Sequence, residues 1–184
     1  MRWYLDTEFL EDGRTIELIS IALVSQDGAV EYYAGNAEVD LQRAHQEPWL
    51  AANVLPKLPP LGAPEPPLNT TLLPGASFWK SKDRIGRDLL ALFGIAGGNP
   101  IHGQPEIWAD FASYDWVAFC QIWGRMIDLP PGLPMFCMDL MQDLRQRGIH
   151  RADLPKQDPK TEHDALEDAR WLRQAHHFAQ VLNW

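Results

Sequence analysis

The segment Arg14–Ser25 constrains the fold more than any other part of the chain. It carries Ile16, Leu18, Ile19, Ile21 and Leu23, so a strand formed there is apolar on both faces. Strand side chains alternate, and a strand with two apolar faces belongs inside a sheet covered on both sides. Its neighbours supply that sheet. Arg2–Phe9 reads as a first strand, joined through the turn Glu11-Asp12-Gly13. Gln26-Asp27-Gly28 has the Asp-Gly chemistry of a hairpin and leads to a third strand over Ala29–Ala34.

The rest of the chain alternates. A helical pattern runs from about Val39 to Val54, and Pro48 restarts it, since proline fits the first turn of a helix. Helices are expected over Lys82 to about Phe93, Ser113 to Gly124, Asp139 to Arg147 and Ala165 to about Leu182. Short strands are expected at Glu106–Ala109 and Met135–Met138. Strands first, then alternating helix and strand, predicts an α/β domain with a mixed central sheet flanked by helices. A chain of 184 residues accommodates one full core, so residues 1–184 read as a single domain. Seven of its fifteen prolines fall between Pro56 and Pro74, without periodicity. We read about 56–79 as an excursion from that domain, because loops of this length serve a function or move.

Apolar residues make up 46% and charged residues 22%, as in ordinary globular chains. No apolar run approaches a bilayer span, and Met1 leads directly into strand-like sequence, so no membrane partner is expected. Cys120 and Cys137 are far apart in apolar surroundings and read as buried free thiols, which points to the cytoplasm. A net charge of −9 argues only superficially against nucleic acid, because active-site carboxylates can be neutralised by cations. Basic residues gather in two stretches, Lys80–Arg87 and Arg145–Lys160, and the second runs into His163. Solvated surface and phosphate binding both fit these stretches.

Five residues spread along the chain form a chemical set: Asp6, Glu8, Asp115, His163 and Asp168. Asp6 and Glu8 are two apart on the first strand and share a face, with Thr7 and Phe9 on the other. Two adjacent carboxylates repel unless a cation or a proton intervenes. Taken alone, Asp115 needs no more than a favourable place in a first helical turn. Asp164 and Glu167 match a capping box, which leaves His163 on the loop and brings Asp168 into the first turn. Asp168 then shares a face with Leu172 and Ala175, and an inward carboxylate needs a partner. Together, Asp6, Glu8, Asp115 and Asp168 can ligate two hard cations, Mg²⁺ or Mn²⁺, with Asp6 the best placed to bridge them. Two such ions stabilise the attacking and leaving oxygens of a displacement at phosphorus. His163, neutral near working pH, would take the proton from the attacking water.

These motifs resemble the Asp-Glu-Asp-Asp-His (DEDDh) exonucleases, the superfamily of RNase T, oligoribonuclease and polymerase proofreading subunits. The resemblance rests on Asp6-Thr7-Glu8, on Tyr114-Asp115, on His163-x-Ala165-x-x-Asp168, and on the strand around Gly13–Ala22. It implies an RNase H-like fold and removal of nucleoside 5′-monophosphates from the 3′ end with two Mg²⁺ ions. Within the superfamily the likeness is greatest to the polyadenylate-specific 3′-exoribonuclease group, RNase AS, through Asp6–Ser20, Asn53–Pro59 and Tyr114-Asp115. That likeness implies a homodimer acting on single-stranded RNA 3′ ends rich in adenylate. It also implies contact of Thr7 and Phe9 with the terminal nucleotide. The chain departs from the pattern at Asp110 or Phe111, where many relatives carry asparagine, and in the length of its proline segment.

Three other readings share the fold. DNA could replace RNA, since one contact decides the sugar. A non-catalytic nucleic-acid-binding module has no reason to retain clustered charge. An RNase H-like endonuclease would not need His163. Trp49 and Trp79, beside the proline segment, are the tryptophans best placed to stack a base.

Overall fold

The computed structural model describes residues 1–68 and 77–182. Strands β1 (Arg2–Glu11), β2 (Ile16–Ser25) and β3 (Glu31–Asn36) form the expected meander. Two short helices follow, α1 (Leu41–Gln46) and α2 (Pro48–Asn53), with Pro48 opening the second. After β4 (Trp79–Lys80) come α3 (Lys82–Leu92) and a small hairpin, β5 (Ile95–Ala96) with β6 (Asn99–Pro100). The remainder is β7 (Glu106–Ala109), α4 (Ser113–Cys120), β8 (Met138–Asp139), α5 (Leu140–Arg147) and α6 (Ala165–Val181).

Six strands make one mixed sheet in the order β4-β3-β2-β1-β7-β8, and helices flank it, as the sequence predicted. This is the arrangement of an RNase H-like fold. β2 lies between β1 and β3, which explains its two apolar faces. Simple alternation fails within it, however. The β1–β2 register shifts between Glu8 and Phe9, where Ser20 and then Leu18 are the partners, so Ile19 is the additional residue of a bulge. Leu18 therefore joins Ile21 and Leu23 in the cluster packed on α3 and α4. Ile19 turns to the opposite side with Leu10, Ala44 and Leu50.

On that opposite side, α6 covers the sheet with Ala165, Leu166 and Ala169 against Ala22, Val24 and Tyr33. Further along, Leu172, Ala175 and Ala179 meet Tyr4 and Trp108. Arg170 fastens the helix to β3 through two hydrogen bonds to Glu31, at 2.8 and 2.7 Å.

Several local expectations shift. The strand expected over Met135–Met138 is β8, Met138–Asp139, because only there does the chain reach pairing distance of β7. α4 ends at Cys120, before Gly124, and the third strand runs two residues beyond Ala34. β4, β5 and β6, two residues each, carry no sequence signal. Cys120 is buried and Cys137 half-buried, both as free thiols. Of the proline excursion at about 56–79, residues 69–76 lie outside the described residues. Among the described residues no helix is long and apolar enough to cross a membrane.

Candidate active site

The cleft forms where β1 outruns a neighbour. β1 pairs with β2 as far as Glu11, but with β7 only over Arg2–Tyr4. Beyond Tyr4 that edge faces the loop after β7 and the first turn of α4. The chain runs outward from β1 through β2 to β4, then returns on the other side at β7. Crevices at such reversals, beyond the carboxyl ends of parallel strands, are where α/β sheets bind ligands.

Each member of the sequence set reaches this crevice. Asp6, Thr7, Glu8, Phe9, Asp115, His163 and Asp168 line one hollow together with Trp49, Asp110, Phe111 and Tyr114. A second hollow adjoins it and shares Asp6, Asp110, His163 and Asp168. Thr7 and Phe9, although on the other face of β1 from Asp6 and Glu8, belong to the same cleft because it wraps around the free edge. Thr7 gives its backbone N–H (2.9 Å) and its hydroxyl (2.7 Å) to Asp115 Oδ1. The Phe9 ring stacks on Tyr114, centroids 5.6 Å apart and planes 9° apart.

The α6 entry shows half of the expected capping box. Asp164 caps the helix by accepting from the N–H groups of Leu166 and Glu167. The Glu167 carboxylate instead takes a hydrogen bond from Arg170. His163 has φ of +65°, an uncommon conformation for a residue with a side chain, and its N–H donates to Asp168 Oδ2 at 2.9 Å. Gln157 holds Asp168 Oδ1. The ring of Trp49 meets His163 edge to face at 4.7 Å. Ligand atoms of Glu8, His163 and Asp168 lie within 4.8 Å of one another. That tight group does not include Asp6, the residue expected to bridge two ions; Asp6 lines the cleft beside it.

No family model matches the chain. It is 44% identical over 170 residues to 3′-5′ exoribonucleases of two Mycobacterium tuberculosis strains, CDC 1551 / Oshkosh and ATCC 25618 / H37Rv. The match covers 92% of this chain and 88% of each relative. The chain belongs to this 3′-5′ exoribonuclease family.

The electrostatics of this family member's cleft favour cations. Burial first, then the charges of Asp115, Glu8 and Asp168, holds Asp6 well above the usual carboxylate range. Burial and the neighbouring Asp168 and Asp115 push Glu8 up to about 8. Burial lifts Asp115 to about 7, although both hydrogen bonds from Thr7 pull it down. Asp168 is raised by burial against the opposing bonds from Gln157 and His163. Positive charge among these groups would relieve the repulsion, and an oxygen-rich donor set suits a hard divalent ion.

The basic stretches divide. Lys80 and Arg84 pair with Asp88, Arg87 with Asp83, and Arg147 with Asp143. Arg151 is the residue of these stretches that lines the cleft. The sequence alone does not single out Gln157 as a cleft group, and it marks Tyr114 only as the neighbour of Asp115 in a motif. Gln157 gives no signal in a polar loop, whereas Tyr114, an aromatic just before a first-turn acid, offers one.

Proposed function

We propose that the protein is a metal-dependent 3′-to-5′ exoribonuclease that hydrolyses single-stranded RNA from its 3′ end to nucleoside 5′-monophosphates. The observation that carries the proposal is the convergence of Asp6, Glu8, Asp115, Asp168 and His163 in one cleft. The names of the relatives support the same activity.

In this reading Asp6, Glu8, Asp115 and Asp168 would hold two Mg²⁺ ions, with Mn²⁺ an acceptable substitute. Such ions, when bound, supply Lewis-acid stabilisation of the attacking and leaving oxygens. His163 acts as general base and takes a proton from the attacking water. Its place before the helix, braced by Trp49 and by its own N–H on Asp168, keeps the imidazole beside the carboxylates. Thr7 holds Asp115 and, with Phe9, receives the terminal nucleotide. The stacked Phe9–Tyr114 pair offers an aromatic face that any base can use. The resemblance to the RNase AS group supports a preference for adenylate-rich 3′ ends and a homodimer, and the free thiols of Cys120 and Cys137 support a cytoplasmic setting.

The test is a time course on 5′-labelled RNA and DNA of matched sequence, oligoadenylate included, with Mg²⁺ and with chelator. Stepwise shortening of RNA from the 3′ end, lost with chelator and in Asp6→Asn, is the expected outcome. Faster loss of DNA would assign a DNA exonuclease instead. Binding without cleavage would leave a nucleic-acid-binding module.

A further inference from the structure

We propose that Arg151 is a phosphate clamp: it holds a backbone phosphate on the 5′ side of the scissile bond as the RNA strand leaves the cleft. The proposal rests on the exoribonuclease reading and adds to it the path of the strand.

The charge balance of the cleft requires a partner for the substrate. Among the described residues, the two hollows are lined by six acids and by one Lys or Arg side chain, that of Arg151. The acids beside His163 suit cations, so they serve the reacting phosphate and repel the next one along the strand. Arg151 also lines the adjoining groove with Arg145 and His150, so it stands where the cleft opens onto basic surface.

Arg151 is held in a way that leaves donors free. Its Nη1 donates to Asp110 Oδ2, and its guanidinium lies 5.4 Å from the Phe111 ring centre and 4.8 Å from that of Trp171. The Trp171 ring is itself fixed by its Nε1–H on the Pro155 carbonyl, at 2.8 Å. Nε and Nη2 have no hydrogen-bond partner among the described residues, and the side chain is 43% exposed. A planar guanidinium with two donors free is matched to a phosphate. The cradle has two costs. Phe111 adopts φ of +53°, and Asp110 Oδ1 is buried without a partner. Backbone strain of this kind persists where surrounding structure enforces it, commonly at ligand clamps. Asp110 has a role in this cradle: it orients Arg151.

The experiment compares wild type, Arg151→Gln and Arg151→Lys for binding of fluorescein-labelled oligoadenylate in Ca²⁺ across a salt series. Arg151→Gln should raise Kd about tenfold and lower the slope of log Kd against log salt by about 0.7, the loss of one single-strand phosphate contact. Arg151→Lys keeps the charge and should keep the slope. In Mg²⁺, KM for RNA should rise in Arg151→Gln with kcat within about twofold. Hydrolysis of bis(p-nitrophenyl) phosphate, a diester with no neighbouring phosphate, should be unchanged. An unaltered salt slope in Arg151→Gln would overturn the clamp, and so would equal losses on RNA and the small diester. A wild type that binds RNA through Arg151 yet shortens none would overturn the exoribonuclease reading and with it the clamp's place beside a scissile bond, while Arg151 would stay a phosphate contact.

Discussion

Thr7 gives two hydrogen bonds to one oxygen of Asp115, from its backbone N–H and its hydroxyl. The central strand thereby fixes a carboxylate that arrives on a helix more than a hundred residues later. It also satisfies an N–H that the short β7 leaves unpaired. Both bonds lower the Asp115 pKa against the effect of burial. Removing the hydroxyl in Thr7→Val therefore raises it, and the acidic limb of the pH–rate profile should move to higher pH. Stability should fall by about 1 kcal/mol, measured by urea denaturation.

Four raised carboxylates make the metal-free protein sensitive to base. A group whose pKa is higher folded than unfolded contributes stability below its unfolded value, and loses it as pH rises through the folded value. Asp6, Glu8, Asp115 and Asp168 are all raised, Glu8 to about 8 and Asp115 to about 7. In chelator, Tm should therefore fall between about pH 4 and pH 8. Mg²⁺ should restore it at pH 8. Asp6→Asn should flatten the fall in chelator while reducing turnover by more than about a hundredfold. Scanning calorimetry across the pH range checks the first part and product analysis the second.

His163 separates stability from activity. Its φ of +65° suits asparagine and disfavours β-branched residues. His163→Asn should stay within about 0.5 kcal/mol of wild type, and His163→Val should lose about 1–2 kcal/mol. Both should lose about 10²–10⁴ in kcat, because neither carries a base. Denaturation and turnover measured on the two variants together test both halves.

His176 sets the acid side of the stability profile. It is fully buried on α6, with Nδ1 3.1 Å from the Tyr4 hydroxyl and its ring 3.9 Å from that of Trp108. Burial, then the charge of Arg2, lowers its pKa to about 4. A histidine depressed on folding favours the native state above its unfolded pKa, and that advantage is lost as pH falls through the folded one. The contribution of this group to stability should decline from about pH 6.5 toward pH 4, by on the order of 3 kcal/mol. In His176→Leu that part of the decline should disappear from the Tm profile.

Elements with strong local signals are legible in the sequence. Two apolar faces identify β2 as internal, Pro48 breaks one helix into two, and Asp164 marks the start of α6. The site set is legible in type and order, since spacing on a strand and on a first helical turn fixes direction. The bulge at Ile19 is not, because inserting one residue depends on the partner strand. The tight group of Glu8, His163 and Asp168 is also hidden, since its members come from elements that meet only through α6 packing on β1 and β2. Gln157 and the Asp110–Arg151 pair lie on loops whose course is set by what they cover.

Local patterns along the chain are enough to set the alternation of strands and helices, the family likeness and the choice of Asp6, Glu8, Asp115, His163 and Asp168 as candidate site residues. Those follow from backbone geometry and from side-chain chemistry. Packing in three dimensions was needed to end the pairing of β7 with β1 at Tyr4, which opens the edge of β1 into a cleft, and to make Arg151 its cation. Such outcomes depend on contacts between residues distant in sequence, whose energies no local pattern contains.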